Sequence, residues 1–119
     1  MGEPIPPIEN RFPGKLESIL ASVRQTFDGK SLNATVLDAA SAYFNQIIRG
    51  HPFQNGNKRL AVMYTHIFLL WHGLDLSLYY NEMFYFALTV AKAGEEGINS
   101  EKTRNWCKTI IGQFAQEKK

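Results

Sequence analysis

Within nine positions, the segment His51-Pro52-Phe53-Gln54-Asn55-Gly56-Asn57-Lys58-Arg59 gathers an imidazole, three side-chain amides, a glycine and two adjacent cations. An imidazole at the mouth of a loop can take a proton from a hydroxyl on an incoming substrate. A single loop histidine is also a common surface residue, so His51 is a candidate base rather than a demonstrated one. Gly56 permits a tight turn with positive φ, or close approach of backbone to a ligand, and Asn57 can cap the helix behind it. The N–H groups at that helix start and the helix dipole both favour an anion. Lys58 and Arg59 add positive charge where the dipole disfavours it, at a cost of about 0.3–1 kcal/mol each if they merely face water. A bound phosphate removes that conflict. Phe53 can bury its ring and anchor the loop under either reading.

The elements that must hold this loop are helical. Leu16, Ile19, Leu20, Val23 and Phe27 recur at helical spacing between Gly14 and a stop at Asp28-Gly29. Val36, Ala40, Tyr43, Phe44, Ile47 and Ile48 form a second such face, with Asn33 as the expected cap and Gly50 as the expected glycine stop. A third helix is expected from near Asn57 to His72, ending at Gly73. Its middle is apolar on nearly every side, which marks it as the central helix. Leu74, Leu76 and Leu78 alternate with polar residues over too short a run to found a sheet. A fourth helix is expected from about Asn81 to Lys92, followed by a turn at Gly94 and Gly97. A fifth, capped by Ser100, carries Trp106, Ile110, Ile111 and Phe114 into a polar tail. Pro4, Pro6, Pro7 and Pro13 make residues 1–13 an extended arm. The expectation is one all-α domain over residues 1–119, of about five helices around a central buried one.

Composition narrows the function classes. With 119 residues, 45% apolar and 13% aromatic, the chain can bury one core and has no room for a second domain. Thirteen basic against eleven acidic residues give a net charge of +2, and no basic stripe with interleaved aromatics is visible, so nucleic acid is a weak expectation as a partner. The single Cys107 removes a disulfide framework and a multi-cysteine zinc site, and fits the cytoplasm. The apolar stretch Leu60 to Trp71 is interrupted by Thr65 and His66 and is too short to span a bilayer, and no signal segment opens the chain. His66 and His72 read as helix residues without a catalytic role. Tyr79, Tyr80, Phe84, Tyr85 and Phe86 read as packing, with no site assigned to them.

Taken together, His51-Pro52-Phe53-x-x-Gly56-Asn57-Lys58-Arg59 resembles the active-site motif of the Fic/Doc family, a His-x-Phe-x-acid-Gly/Ala-Asn-Gly/Lys-Arg pattern set between two helices of an all-α core. The resemblance implies transfer of part of a nucleotide to a protein hydroxyl. In the family, the residue matching His51 is the base, the loop amides with the residues matching Asn57 and Arg59 hold phosphates, and the acid two residues beyond Phe53 coordinates Mg²⁺. Lys58, and Val62 where adenylylating members carry a second Arg, look like the Doc (death-on-curing) toxin branch. That branch binds ATP in the opposite sense and phosphorylates a threonine of elongation factor Tu, arresting translation. Phosphoryl transfer depends on positioning and charge neutralisation, which Gly56, Asn57, Lys58 and Arg59 are the types to supply.

One position departs from the pattern. Asn55 stands where the family has Asp or Glu, keeping a carbonyl oxygen for a metal but losing the charge that attracts Mg²⁺. The readings that follow are a Doc-like kinase using ATP and a weak Mg²⁺ site, an AMP-transferring enzyme, or a non-catalytic nucleotide- or partner-binding module. The family's inhibitory pattern, Ser/Thr-x-x-x-Glu-Gly/Asn, is missing: Lys92 precedes Glu96-Gly97 and Ile5 precedes Glu9-Asn10 where the hydroxyl residue belongs. An inhibitor would then be a separate antitoxin chain. In the family a flap upstream of the motif pins the target by strand addition, and Pro7 to Asn10 occupy that region.

Overall fold

Apolar residues at three- and four-residue spacing become five helices in the computed structural model, which describes residues 14–28, 35–50, 56–78 and 80–117. The order is α1 (Lys15–Asp28), α2 (Val36–Gly50), α3 (Asn57–Trp71), β1 (Leu74–Leu76), α4 (Tyr80–Glu95), α5 (Ser100–Phe114) and β2 (Ala115–Glu117). The proline-rich stretch expected to form an arm lies outside the described residues.

The central helix is α2, not α3. Small Ala39, Ala40 and Ala42 let neighbouring helices approach closely, while Phe44, Ile47 and Ile48 fill the space between them, all essentially inaccessible. α2 packs against α1, α3, α4 and α5. Phe44 stacks on Phe86 at 5.8 Å between ring centroids, and Tyr43 meets Tyr64 and Phe68 at 5.0 and 5.1 Å. α3 packs against α2, α4 and β1 and, among the described residues, leaves Met63, Ile67 and Trp71 exposed, Trp71 by 81%. An apolar run shows that a helix can be surrounded but not that it is.

Helix ends account for the other differences from expectation. Asn33 is outside the described residues, and α2 is capped by Thr35, whose Oγ1 accepts from the Asp38 N–H at 3.0 Å while the Thr35 N–H donates to the Asp38 carboxylate at 3.4 Å. α5 is capped by Asn99, one residue before Ser100, its side chain accepting from the N–H groups of Glu101 and Lys102. Gly50 is the last residue of α2 rather than a left-handed stop: a Cβ there would lie 2.7 Å from Ile19 Cδ1, so the glycine serves the α1–α2 contact. α4 runs on through Gly94, onto which Arg49 packs, and stops at Gly97 with φ 80°. There the Ile98 N–H reaches the Ala93 carbonyl and the Gly97 N–H that of Gly94.

A small sheet closes the fold. β1 pairs antiparallel with β2 in the register Leu74 with Glu117, Asp75 with Gln116 and Leu76 with Ala115. The Ser77 N–H and hydroxyl both donate to the Phe114 carbonyl, which ties the end of α5 to the segment after α3.

Two stability predictions arise here. Burial pushes the Asp38 carboxyl up, but the Lys108 ammonium at 2.6 Å and the Thr35 bonds outweigh it and hold its pKa below the ordinary 3.8. A depressed carboxylate contributes stability above its unfolded value and loses it as pH falls through its folded value. Asp38→Asn is therefore expected to cost about 1 kcal/mol in urea unfolding at neutral pH, with the gap to wild type closing in strong acid. Burial pushes the Cys107 thiol up to about 12. Iodoacetamide at about pH 8 is expected to leave Cys107 unmodified in the native chain and to alkylate it fully in urea, as read by mass spectrometry.

Candidate functional site

α3 begins differently from the other helices. Its cap is Gly56, at φ 81° and ψ 5°, the left-handed conformation for which glycine is suited, and no side chain caps the turn. Asn57, expected as the cap, is the first helical residue instead, because the glycine backbone already turns the chain into the helix. The first in-helix bond runs from the Leu60 N–H to the Gly56 carbonyl at 3.0 Å. The amides of residues 57–59 lie ahead of it, at the positive end of the dipole. α1, α2, α4 and α5 each carry an acid in the first turn, Glu17, Asp38, Glu82 and Glu101 respectively. α3 has none and carries Lys58 and Arg59 there. Asn57 is buried, 2% exposed, whereas Lys58 and Arg59 are half-buried, so the two cations present the charge at this helix end.

Arg59 is held from the side. Its Nε donates to the Tyr80 hydroxyl at 3.0 Å, and its guanidinium carbon lies 5.7 Å from the Tyr80 ring centroid. The Tyr80 ring stacks in turn on Phe84, which is buried. The sequence alone marks Tyr80 as a packing residue. Twenty-one positions separate it from Arg59, and no local pattern marks a contact across that distance.

The end of α2, from which the motif continues in sequence, is anchored to α5. Arg49 Nη1 donates to the Ile98 carbonyl at 2.6 Å and to Thr103 Oγ1 at 3.1 Å. Asn45 Nδ2 donates to Ser100 Oγ at 3.0 Å, and its Oδ1 accepts from the Thr103 hydroxyl at 2.6 Å. These bonds tie the last two turns of α2 to the start of α5, up to Arg49, two residues before His51. His51, Phe53 and Asn55 themselves lie outside the described residues.

The remaining histidines stand apart. His66, ten residues along α3 from Gly56 and so about 15 Å away at 1.5 Å per residue, pairs with Asp75 at 3.3 Å. His72 closes the C-terminus of α3 with its ring 4.6 Å from that of Phe68. Among the described residues no group of three His, Cys, Asp or Glu side chains forms a metal site, and no helix is long and apolar enough to cross a membrane.

Comparison with known proteins adds one finding. The model of the Fic/DOC family matches residues 2–69, a span that covers α1 and α2 and extends to Leu69 of α3, including the whole 51–59 motif. No curated protein and no solved structure matches the chain.

Proposed function

The chain belongs to the Fic/DOC family, and from that premise we propose that it is a Doc-like transferase moving the γ-phosphoryl group of ATP to a hydroxyl of a target protein. The observation that carries this reading is the start of α3: a left-handed glycine cap with no acid in its first turn and two cations beside the amide groups. That arrangement suits a polyphosphate.

His51 takes the proton from the target hydroxyl as its oxygen attacks the γ-phosphorus. The bond from that phosphorus to the β–γ bridging oxygen breaks, and ADP leaves with the electron pair. The 57–59 amides, Lys58 and Arg59 hold the phosphates and offset the charge that builds on them. Mg²⁺ would supply charge neutralisation at the phosphates, and Asn55, which stands in the motif where the family has an acid, would offer it one neutral carbonyl oxygen. A translation factor is the target class that the Doc resemblance suggests, with a separate antitoxin chain as inhibitor and the cytoplasm as the location.

Val62 favours phosphoryl over AMP transfer. It stands where adenylylating relatives carry a second Arg and is 2% exposed, so no cation is presented there. A non-catalytic nucleotide-binding module is the reading that Asn55 favours. Incubating the protein and His51→Ala with bacterial lysate and Mg²⁺, using γ-labelled or α-labelled ATP, separates the three. A His51-dependent band carrying only γ label supports the kinase. Transfer of α label moves the chain to the adenylylating branch, and no band from either label favours the binding module.

A further inference from the structure

We infer that Tyr80 is a positioning residue for Arg59, fixing the guanidinium so that its terminal nitrogens meet the nucleotide phosphates. The inference rests on the nucleotide-binding reading proposed above and assigns part of that site to α4, outside the span that matches the family.

The geometry carries it. An arginine in the first turn of a helix has a long flexible side chain, and pointing it at a ligand costs rotamer freedom. Here the Nε–H is engaged by the Tyr80 hydroxyl at 3.0 Å, and the hydroxyl can reach it because the guanidinium carbon lies 5.7 Å from the centre of the same ring. A guanidinium bound through Nε keeps Nη1 and Nη2 as a two-pronged donor, the edge that matches two phosphate oxygens. Tyr80 is itself held. It is the first residue of α4, and its ring stacks on buried Phe84 one turn later, at 6.4 Å and 17°. The chain Phe84, Tyr80, Arg59 thus runs from the core to the cation at the start of α3.

The contact also bears on charge. Tyrosine accepts from Arg59 without neutralising it, where a carboxylate in the same place would compete with the phosphate for the guanidinium. A helix start with no acid in its first turn, and an arginine held by a neutral hydroxyl, both leave positive charge for a ligand.

Calorimetric titration of wild type, Tyr80→Phe, Arg59→Ala and the double variant with ATP and Mg²⁺ tests this. Tyr80→Phe keeps the ring and its stacking and removes only the hydroxyl. It is expected to raise the Kd for ATP about tenfold, the loss of one hydrogen bond to a charged group. In the Arg59→Ala background the same change is expected to have no effect, since the hydroxyl acts only through the arginine. The Arg59 Nε–H resonance is expected to be protected from solvent exchange in wild type and to lose that protection in Tyr80→Phe. Wild-type affinity in Tyr80→Phe, or an equal loss with and without Arg59, overturns the role of Tyr80 and leaves the nucleotide reading standing. A wild-type chain that binds no ATP overturns both.

Discussion

His51→Ala is expected to lower transfer of label to the target by about 10²- to 10⁴-fold, the range for removing a positioned general base, while ATP affinity stays within about twofold of wild type. The separation follows from where the two jobs sit. Phosphate binding is assigned to the start of α3, where Gly56, Lys58 and Arg59 lie, whereas His51 follows the last residue of α2. That end of α2 is tied to α5 through Arg49 and Asn45, bonds that His51→Ala leaves in place, and thermal unfolding of the variant checks that the fold is retained. A base must be neutral to accept a proton, so wild-type transfer should fall as acid protonates the imidazole, and the residual activity of His51→Ala should lack that limb. Single-turnover transfer and calorimetry on the same samples distinguish the outcomes. Unaltered transfer means that another group takes the proton, and lost ATP binding means that His51 holds the nucleotide instead.

Much of this arrangement is visible in the sequence because it is local. The helical spacing of Val36 to Ile48 specifies α2 within a few residues, and Gly56 followed by two cations marks the start of α3 without any knowledge of what packs on it. What the sequence hides is pairwise and distant. β2, Ala115 and the first two residues of the polar tail, has no strand pattern of its own and forms along the edge that β1 offers. The run from Leu60 to Trp71 looks like a helix enclosed on all sides, yet Met63, Ile67 and Trp71 face outward, since hydropathy cannot count neighbours. Gly50 looked like a helix stop and is instead the space into which Ile19 fits. Tyr80 belongs to the same class: its importance lies in an oxygen that meets Arg59 from another helix.

The same distinction applies to charge. At α2 the carboxylate of Asp38 joins Thr35 in the cap and pairs with Lys108, so that helix start is satisfied within the protein. At α3 no acid completes the first turn, and the two cations add to the dipole instead of opposing it. A fold that places an acid in the first turn of its other helices and two cations in this one concentrates positive charge here, the condition that favours a bound anion. On the proposed reading, Lys58 and Arg59 contribute to affinity for the nucleotide phosphates.

Asn55→Asp reads that field from the opposite direction. Asparagine and aspartate have nearly the same shape, so the substitution adds one negative charge beside the start of α3 and little else. With Mg²⁺ present, the added carboxylate should lower the metal concentration needed for half-maximal transfer roughly tenfold, because the charge on the ligands governs affinity for hard cations. With the metal chelated, a carboxylate at 55 would repel the nucleotide phosphates and offset Lys58 and Arg59, so ATP binding should weaken rather than strengthen. The two effects have opposite signs and one cause. ATP titrations of wild type and Asn55→Asp, run in chelator and across a magnesium series, measure both. A crossing of the two affinity curves as magnesium rises would place residue 55 at the metal and the phosphates together. Superimposable curves would mean that Asn55 touches neither, and that the charge of the site is set by Lys58, Arg59 and the helix start alone.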